Sequence, residues 1–516
     1  MGTLGFWRLA QADPEWIAVI DPDGVHHRAG DLLAAANRLV HGLRDLGLVE
    51  GEVVCGLVPN GIDGLVLYLA ALQSGLRYTP INWHLTGSEI GHIIADSSAR
   101  VFFVHENFAE EGLRAIAESG IEPGRCFAFG TVEGLRPAST LTDGRPSTTP
   151  LRRTAGAVMH YTSGTTGRPK GVIRPLSPLD PDDLAELSTG LAAMMGIPPG
   201  PPQVHLVTSP MYHAAVTLFA GAALHMGHTV VIMGKWDPEQ ALRLCERHRV
   251  TNTHMVPTHF KHLLALPPHV RAAYDLSSLT WVVHAAAPCP VPVKRAMLEW
   301  LGDHVYEYYA ATEGGGTLAT PADWREHPGT VGRPWAMSKL LIVDDDLQPV
   351  PPGTPGTIYM RTSGYDFEYK GDPEKTLAAR LDDYFTVGDV GYLDREGFLY
   401  LCDRKADMII SGGVNIYPAE IENELMPHPK VADVAVFGIP DDEWGEQIKA
   451  VVQPAEGVVP GPELAAELLG SLEGRLAHMK WPKSFDFIET MPRDPSGKLL
   501  RRHLRLPYWK DRDSLI

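Results

Sequence analysis

Residues 161–171 read YTSGTTGRPKG, and the reading of this stretch decides the fold. Gly164, Gly167 and Gly171 allow positive φ and close backbone approach, while Thr162, Ser163, Thr165 and Thr166 crowd four hydroxyl donors beside them. Such a loop can wrap a polyphosphate, with Arg168 and Lys170 adding positive charge. The same composition also makes an ordinary turn, and on this segment alone the two readings stand level. The GxxxxGK[ST] spacing of a Walker A loop is not met, which disfavours a P-loop fold.

Outward from the loop, short apolar or β-branched runs alternate with helical patterns. Strand-like 53–58 precedes helix-like 61–74, 101–104 precedes 109–119, and 229–233 precedes 238–248 and a further strand at 253–256. That rhythm predicts βαβ units and largely parallel sheets in one large α/β body. Two polar, Pro-rich stretches, 136–150 and 175–202, read as surface loops or linkers. After Arg404 the texture changes to strands at 433–438, 449–453 and 484–488, an acidic turn at 441–446 and a helix at 463–477, a small α+β unit following a hairpin at 384–402. The boundary falls at 403–405. No repeat occurs at solenoid periods.

Composition narrows the function classes. A chain of 516 residues exceeds one compact core. Its net charge of −18, without a basic patch, argues against nucleic acid and anionic membrane as partners. Five cysteines without CxxC spacing imply a reducing compartment and neither a zinc nor a disulfide framework. The most apolar stretch, 216–234, is interrupted by His225, Gly227, His228 and Thr229, so it predicts a helix followed by a strand rather than a membrane span. The N-terminus carries no signal pattern and Phe6 breaks a myristoylation sequence, making the cytoplasm the expected location. His254, His259 and His262 tempt a metal reading, but their spacing fits no common site.

The 161–171 stretch resembles the phosphate-loop signature of the acyl-adenylate-forming superfamily, which includes acyl-CoA synthetases, amino-acid-activating domains and luciferases. Further blocks follow in family order: YAATE at 309–313, TVGDVGY around Asp389, RKADMIISGGVNIYPAEIE at 404–422 and PRDPSGK at 492–498. The blocks are most similar to those of bacterial fatty-acid-type acyl-CoA synthetases. The resemblance implies a large N-terminal adenylate-forming domain with mostly parallel sheets, residues 1–403, and a small mobile α+β C-terminal catalytic domain, residues 404–516.

Carried over residue by residue, Thr162, Ser163, Gly164, Thr165, Thr166, Gly167 and Lys170 would hold phosphates. Tyr309 would stack on adenine beside Tyr308, Ala310 and Ala311, Thr312 would touch the phosphates, and Glu313 would hold Mg²⁺ through hard carboxylate oxygens. Asp389 would accept hydrogen bonds from both ribose hydroxyls, with Arg404 helping. Ala286, Ala287 and Pro288 occupy an adenine-edge segment that is glycine-rich in the family. His213, next to Tyr212, matches an aromatic position between acid and phosphates. Lys498 would bridge the acid and the α-phosphate, arriving on a domain hinged at Ala406, where the family has Asp or Lys. Ser411, Gly412 and Gly413 would border a thiol channel. Small residues at 284–288 and at Gly314 to Gly316 suggest an acyl pocket open to a sizeable apolar acid.

The expected activity is therefore ATP-dependent conversion of a carboxylic acid to acyl-AMP with release of pyrophosphate, then transfer to CoA. An adenylation-only enzyme serving a carrier protein or separate partner is the alternative. A catalytically silent sensor would have lost one of the blocks, and none is lost. The oligomeric state, a homodimer being one option, is not legible.

Overall fold

In the computed structural model, residues 2–162, 169–362, 366–405, 407–411, 414–441, 444–493 and 498–509 are described. Two sheets build the large body. The first runs, in spatial order, Arg136–Pro137, Cys126–Phe129, Ala99–His105, Val53–Leu57, Arg77–Pro80 and Ala157–Val158, all parallel. The second has nine strands. Its parallel centre is Val305–Ala311, Trp281–His284, Asn252–Met255, Val204–Val207, Thr229–Ile232 and Ile17–Ile20, with antiparallel additions at both edges. Strands buried on both faces need no polar alternation, which is why runs such as Val101 to Val104 are uniformly apolar.

The core joins the two sheets. Helices Ala29–Asp45, Ile62–Leu72 and Ala214–His225 pack with Val54, Phe103 and Phe127 of the first sheet and Val19, Val207 and Val230 of the second. The helix–strand reading of 216–234 holds: the helix ends at His225 and strand Thr229–Ile232 follows. His225 is fully buried but satisfied, its Nδ1 accepting from the Phe6 N–H at 3.2 Å and its Nε2 lying 3.1 Å from the Tyr68 hydroxyl. Among the described residues no helix is long and apolar enough to cross a membrane.

A third, antiparallel sheet was not foreseen as a separate layer. It pairs Gly356–Thr362 with Ser338–Val343, with Tyr384–Phe385 and with Asp389–Leu393, the last continuing to Leu399–Arg404. Beyond it, Ile409–Ser411, Val414–Ile416, Val431–Asp441, Gly445–Pro454 and Ser484–Phe487 form a five-stranded sheet. Its core, from Ile409 to Leu472, is separate from the others. Asp403, at the end of the preceding hairpin, already bonds across to this unit: it accepts from the Ala419 N–H at 3.1 Å and pairs with Arg501 at 3.3 Å.

Two expectations need correction. The 175–202 stretch is not a linker, because helices Pro181–Ser188 and Gly190–Met194 occupy it. Asp180 caps the first helix and Asp182, 3% exposed, accepts from the Arg8 N–H and from Arg153, both at 3.0 Å. Pro181 stands at the N-terminus of the first helix, where the missing N–H costs nothing. The helix expected at 463–477 is shorter, Pro462–Gly470, with Ser471 as its C-cap and turns following.

One buried ion pair underlies the second sheet. Lys294, 0% exposed, donates to Glu307 at 2.6 Å, and the His284 ring stands 3.5 Å from the same carboxylate. Removing one partner strands a charge, so Lys294→Met is expected to cost about 3–5 kcal/mol. The double change Lys294→Met/Glu307→Leu should recover most of that loss. Urea unfolding of the three proteins checks both expectations.

Candidate active site

Parallel strands bring their carboxyl ends to one edge, and segments leaving that edge carry the 161–171 loop, Tyr212 and His213, Ala286 to Pro288, and Thr312 and Glu313. The feet of the 161–171 loop are strands Tyr161–Thr162 and Lys170–Ile173, paired antiparallel with Thr162 opposite Lys170. Ser163, Gly164, Thr165, Thr166 and Gly167 lie outside the described residues. Both feet are anchored, Tyr161 donating to Asp96 at 2.6 Å and Lys170 to Asp372 at 2.6 Å. The hydrogen bond from Lys170 is the main cause holding the Asp372 carboxyl below the usual carboxylate range. Gly171 is needed for space rather than for positive φ, because a Cβ there would stand 2.9 Å from the Tyr161 ring.

Strand Val305–Ala311 distributes its side chains by the period of two. Tyr309 faces the third sheet and donates to Asp389 at 2.7 Å. Tyr308 faces the opposite way, buried beside Phe219, its hydroxyl 3.2 Å from His254 Nε2. Tyr308 is therefore packed in the core beneath the site rather than on the Asp389 side. The pairing of this strand with Gly314–Ala319 is irregular between Tyr309 and Ala311, leaving Ala310 exposed. Asp389 opens a strand after Gly388, whose φ of 83° makes the turn, and it stands directly opposite Arg404 on the paired strand. Two residues expected to share a ribose are thus cross-strand neighbours.

Glu313 is 7% exposed and accepts the Tyr369 hydroxyl at 2.7 Å through Oε1. Among the described residues no cluster of three or more His, Cys, Asp or Glu side chains forms a metal site, so Glu313 would offer a divalent cation a single hard carboxylate, the rest of its ligands coming from substrate phosphates and water. The Thr312 carbonyl accepts from Arg174. After strand Trp281–His284, Ala286 takes a φ of 73°, a left-handed conformation that costs an L-residue roughly 1–2 kcal/mol. Ala286 and Pro288 are exposed and Ala287 half-buried.

His213 is the N-cap residue of helix Ala214–His225, its ring 4.4 Å from that of Tyr212. Tyr212 in turn meets Trp83 edge-on at 4.6 Å. Close by, burial pushes His160 and His254 down to about 3, so both are neutral at pH 7, His254 lying in the core with Tyr308 and Phe219. The other two histidines of the sequence triplet serve Trp236, which stacks on His259 at 3.7 Å and donates to His262 at 3.0 Å.

The glycines after Glu313 do not leave open space as expected. A Cβ on Gly315, whose φ is 71°, would stand 2.8 Å from Met360, and one on Gly316 would stand 2.3 Å from Trp335. Those side chains already occupy the volume. Only Gly314 is free of such a clash, with its nearest neighbours at 3.9 Å.

In the small unit, Ser411 ends strand Ile409–Ser411, while Gly412, Gly413 and the hinge position Ala406 lie outside the described residues. Lys498 is half-buried and adjoins Leu499, which bridges antiparallel to Arg493. Sequence reasoning missed Tyr369 and Asp372. Asp372-Pro373 is a legible helix start, and it caps helix Pro373–Ala378. Nothing local marks Tyr369.

The chain matches the model of the AMP-binding enzyme family over residues 6–365 and that of the AMP-binding enzyme C-terminal domain over residues 420–498. It is 35% identical over 511 residues to a feruloyl-CoA synthase of an Amycolatopsis species, covering 97% of this chain and 98% of that one. It is 32% identical to the fatty acid–[acyl-carrier-protein] ligase ScoC of Streptomyces coeruleorubidus, over 92% of this chain and 90% of the relative. Among solved structures, ATP-bound MatB from Rhodopseudomonas palustris aligns with a TM-score of 0.84 at 28% identity, covering 98% of each chain.

The Tyr309–Asp389 contact generates a prediction. A hydrogen bond to a charged group contributes about 1.5–3 kcal/mol. Asp389→Ala removes this bond to Tyr309 and is therefore expected to lower the urea unfolding free energy by about 1.5–3 kcal/mol and, by taking away the acceptor expected for the ribose, to weaken ATP binding by roughly tenfold or more, read by calorimetric titration.

Proposed function

We propose, from the premise that the chain belongs to the AMP-binding enzyme family and is an adenylate-forming acid:CoA ligase, that it activates a sizeable, largely apolar carboxylic acid as acyl-AMP and passes the acyl group to CoA. The observation that carries this reading is the meeting of Tyr309 with Asp389, residues 80 positions apart, beside a buried Glu313. Adenine and ribose have their recognition groups there, and the phosphates extend toward Lys170 and Thr312.

A carboxylate is a poor electrophile, and thioester formation first needs its oxygen turned into a leaving group. One carboxylate oxygen attacks the α-phosphorus of ATP, forming a C–O–P linkage as the bond to the β-phosphate oxygen breaks and pyrophosphate departs with the electron pair. Two anions approach each other in this step, so preorganised cations carry most of the catalysis. Lys498 bridges the acid and the α-phosphate. Mg²⁺, held by Glu313, supplies further positive charge over the phosphates when bound.

In the second half the thiol sulfur attacks the acyl carbonyl, a C–S bond forms, the C–O bond to phosphate breaks and AMP leaves with that pair. Lys498 has to be out of the way. Residues 404–516 move as the carrier of Lys498, turning about Ala406, and bring Ser411, Gly412 and Gly413 toward the thiol. Residues 1–403 hold the acid and the nucleotide. The similarity to ScoC supports a second reading, in which a carrier-protein thiol receives the acyl group.

A panel of aryl and alkyl acids, assayed for pyrophosphate release with and without CoA, is expected to single out one class and give its CoA thioester by mass. Acyl-AMP accumulating without thioester would favour the carrier-protein reading. Lys498→Ala should slow acid-dependent ATP–pyrophosphate exchange about 10²–10³-fold. CoA attack on chemically made acyl-AMP should persist in the same variant; undiminished exchange would remove Lys498 from the mechanism.

A further inference from the structure

Asp433 near the start of strand Val431–Asp441 serves two cations from different parts of the chain. Its Oδ2 accepts from Arg493 Nε at 2.7 Å and its Oδ1 from Arg493 Nη2 at 2.9 Å, a two-pronged contact. The same Oδ1 accepts from Lys261 Nζ at 3.1 Å. Lys261 belongs to helix Pro257–Ala265 of the large body, which begins directly beyond strand Asn252–Met255 at the carboxyl edge of the parallel sheet. Arg493 belongs to the small unit and, through its bridge with Leu499, forms the foot of the segment that carries Lys498.

Burial alone would raise the Asp433 carboxyl, but Arg493 and Lys261 outweigh it and hold it below the usual carboxylate range. Arg493 also acts on Lys261 as a like charge. Without Asp433 the two cations would face each other and drive the units apart, so one carboxylate turns a repulsive contact into a bridge. The side chains of Asp433, Lys261 and Arg493 are 11%, 21% and 22% exposed, so water reaches the bridge and can replace it when the units separate.

We propose that Asp433 is a positioning residue for the adenylation half-reaction, tying Arg493, and with it the segment bearing Lys498, to Lys261 of the large domain. The proposal rests on the reading of Lys498 given above. It makes Lys261 a contact of one arrangement only, present while Lys498 is delivered and broken before the thiol attacks.

The two half-reactions are measured separately on the full chain: acid-dependent ATP–pyrophosphate exchange, and thioester formation from chemically made acyl-AMP and CoA. Lys261→Ala leaves the Arg493–Asp433 pair intact and is expected to slow exchange about tenfold with the KM for ATP unchanged. The second half should proceed at the same rate or faster. Asp433→Asn should slow exchange at least as much, and adding Lys261→Ala to it should cost nothing further. Lys261→Ala slowing both halves equally, or neither, overturns the tether. Lys498→Ala run alongside separates the two ideas: if it loses exchange while Lys261→Ala keeps it, only the tether fails, and if it keeps exchange, the reading of Lys498 itself has failed.

Discussion

Strand Val305–Ala311 has to satisfy three environments at once, and the rest of the site follows from how it does so. Alternation puts Glu307, against a buried lysine, and Tyr309, against Asp389 of another sheet, on one face and sends Tyr308 into the aromatic core on the other. A slip of one residue would expose Tyr308 and bury Tyr309, and would leave Lys294 without a counter-charge. Register is thus enforced from both faces. Glu313 is placed by the same constraint, because it lies in the turn that immediately follows.

Charge is handled differently in the two parts of the site. Where the nucleotide is expected, the charged side chains are held by polar neighbours: Lys170 by Asp372, Glu313 by Tyr369 and Asp389 by Tyr309. These partners fix orientation before any ligand arrives, and the charged ones can be exchanged for phosphate or ribose at little reorganisation cost. Where the acid is expected, the side chains are aromatic, Tyr212 lying between His213 and Trp83, with the neutral His160 nearby.

Much of the fold was legible because its signals are local. The alternation of apolar runs with helical patterns implies parallel strands, and the change of texture after Arg404 coincides with a separate core beginning at Ile409. The errors are also local in origin. Pro181 stands at a helix start rather than in a linker, and the helix that begins at Pro462 ends at Gly470, sooner than hydrophobic spacing alone suggested. Glycines 315 and 316 suggested an empty pocket, whereas Met360 and Trp335 from distant segments fill the space. A missing side chain says that something comes close, not what it is.

The sequence by itself determined the class of the fold, the family and the candidate residues of the nucleotide site, because these are carried by residue types at fixed local spacing. Only the tertiary structure decided which of those residues meet. Tyr309 and Asp389 come from different sheets, Tyr369 reaches Glu313 over 56 positions, and Asp433 joins a lysine and an arginine that are 232 residues apart in the chain, 172 on one side and 60 on the other. Such contacts are products of packing two bodies against each other. No spacing rule along a single chain encodes the distance between side chains that folding brings together.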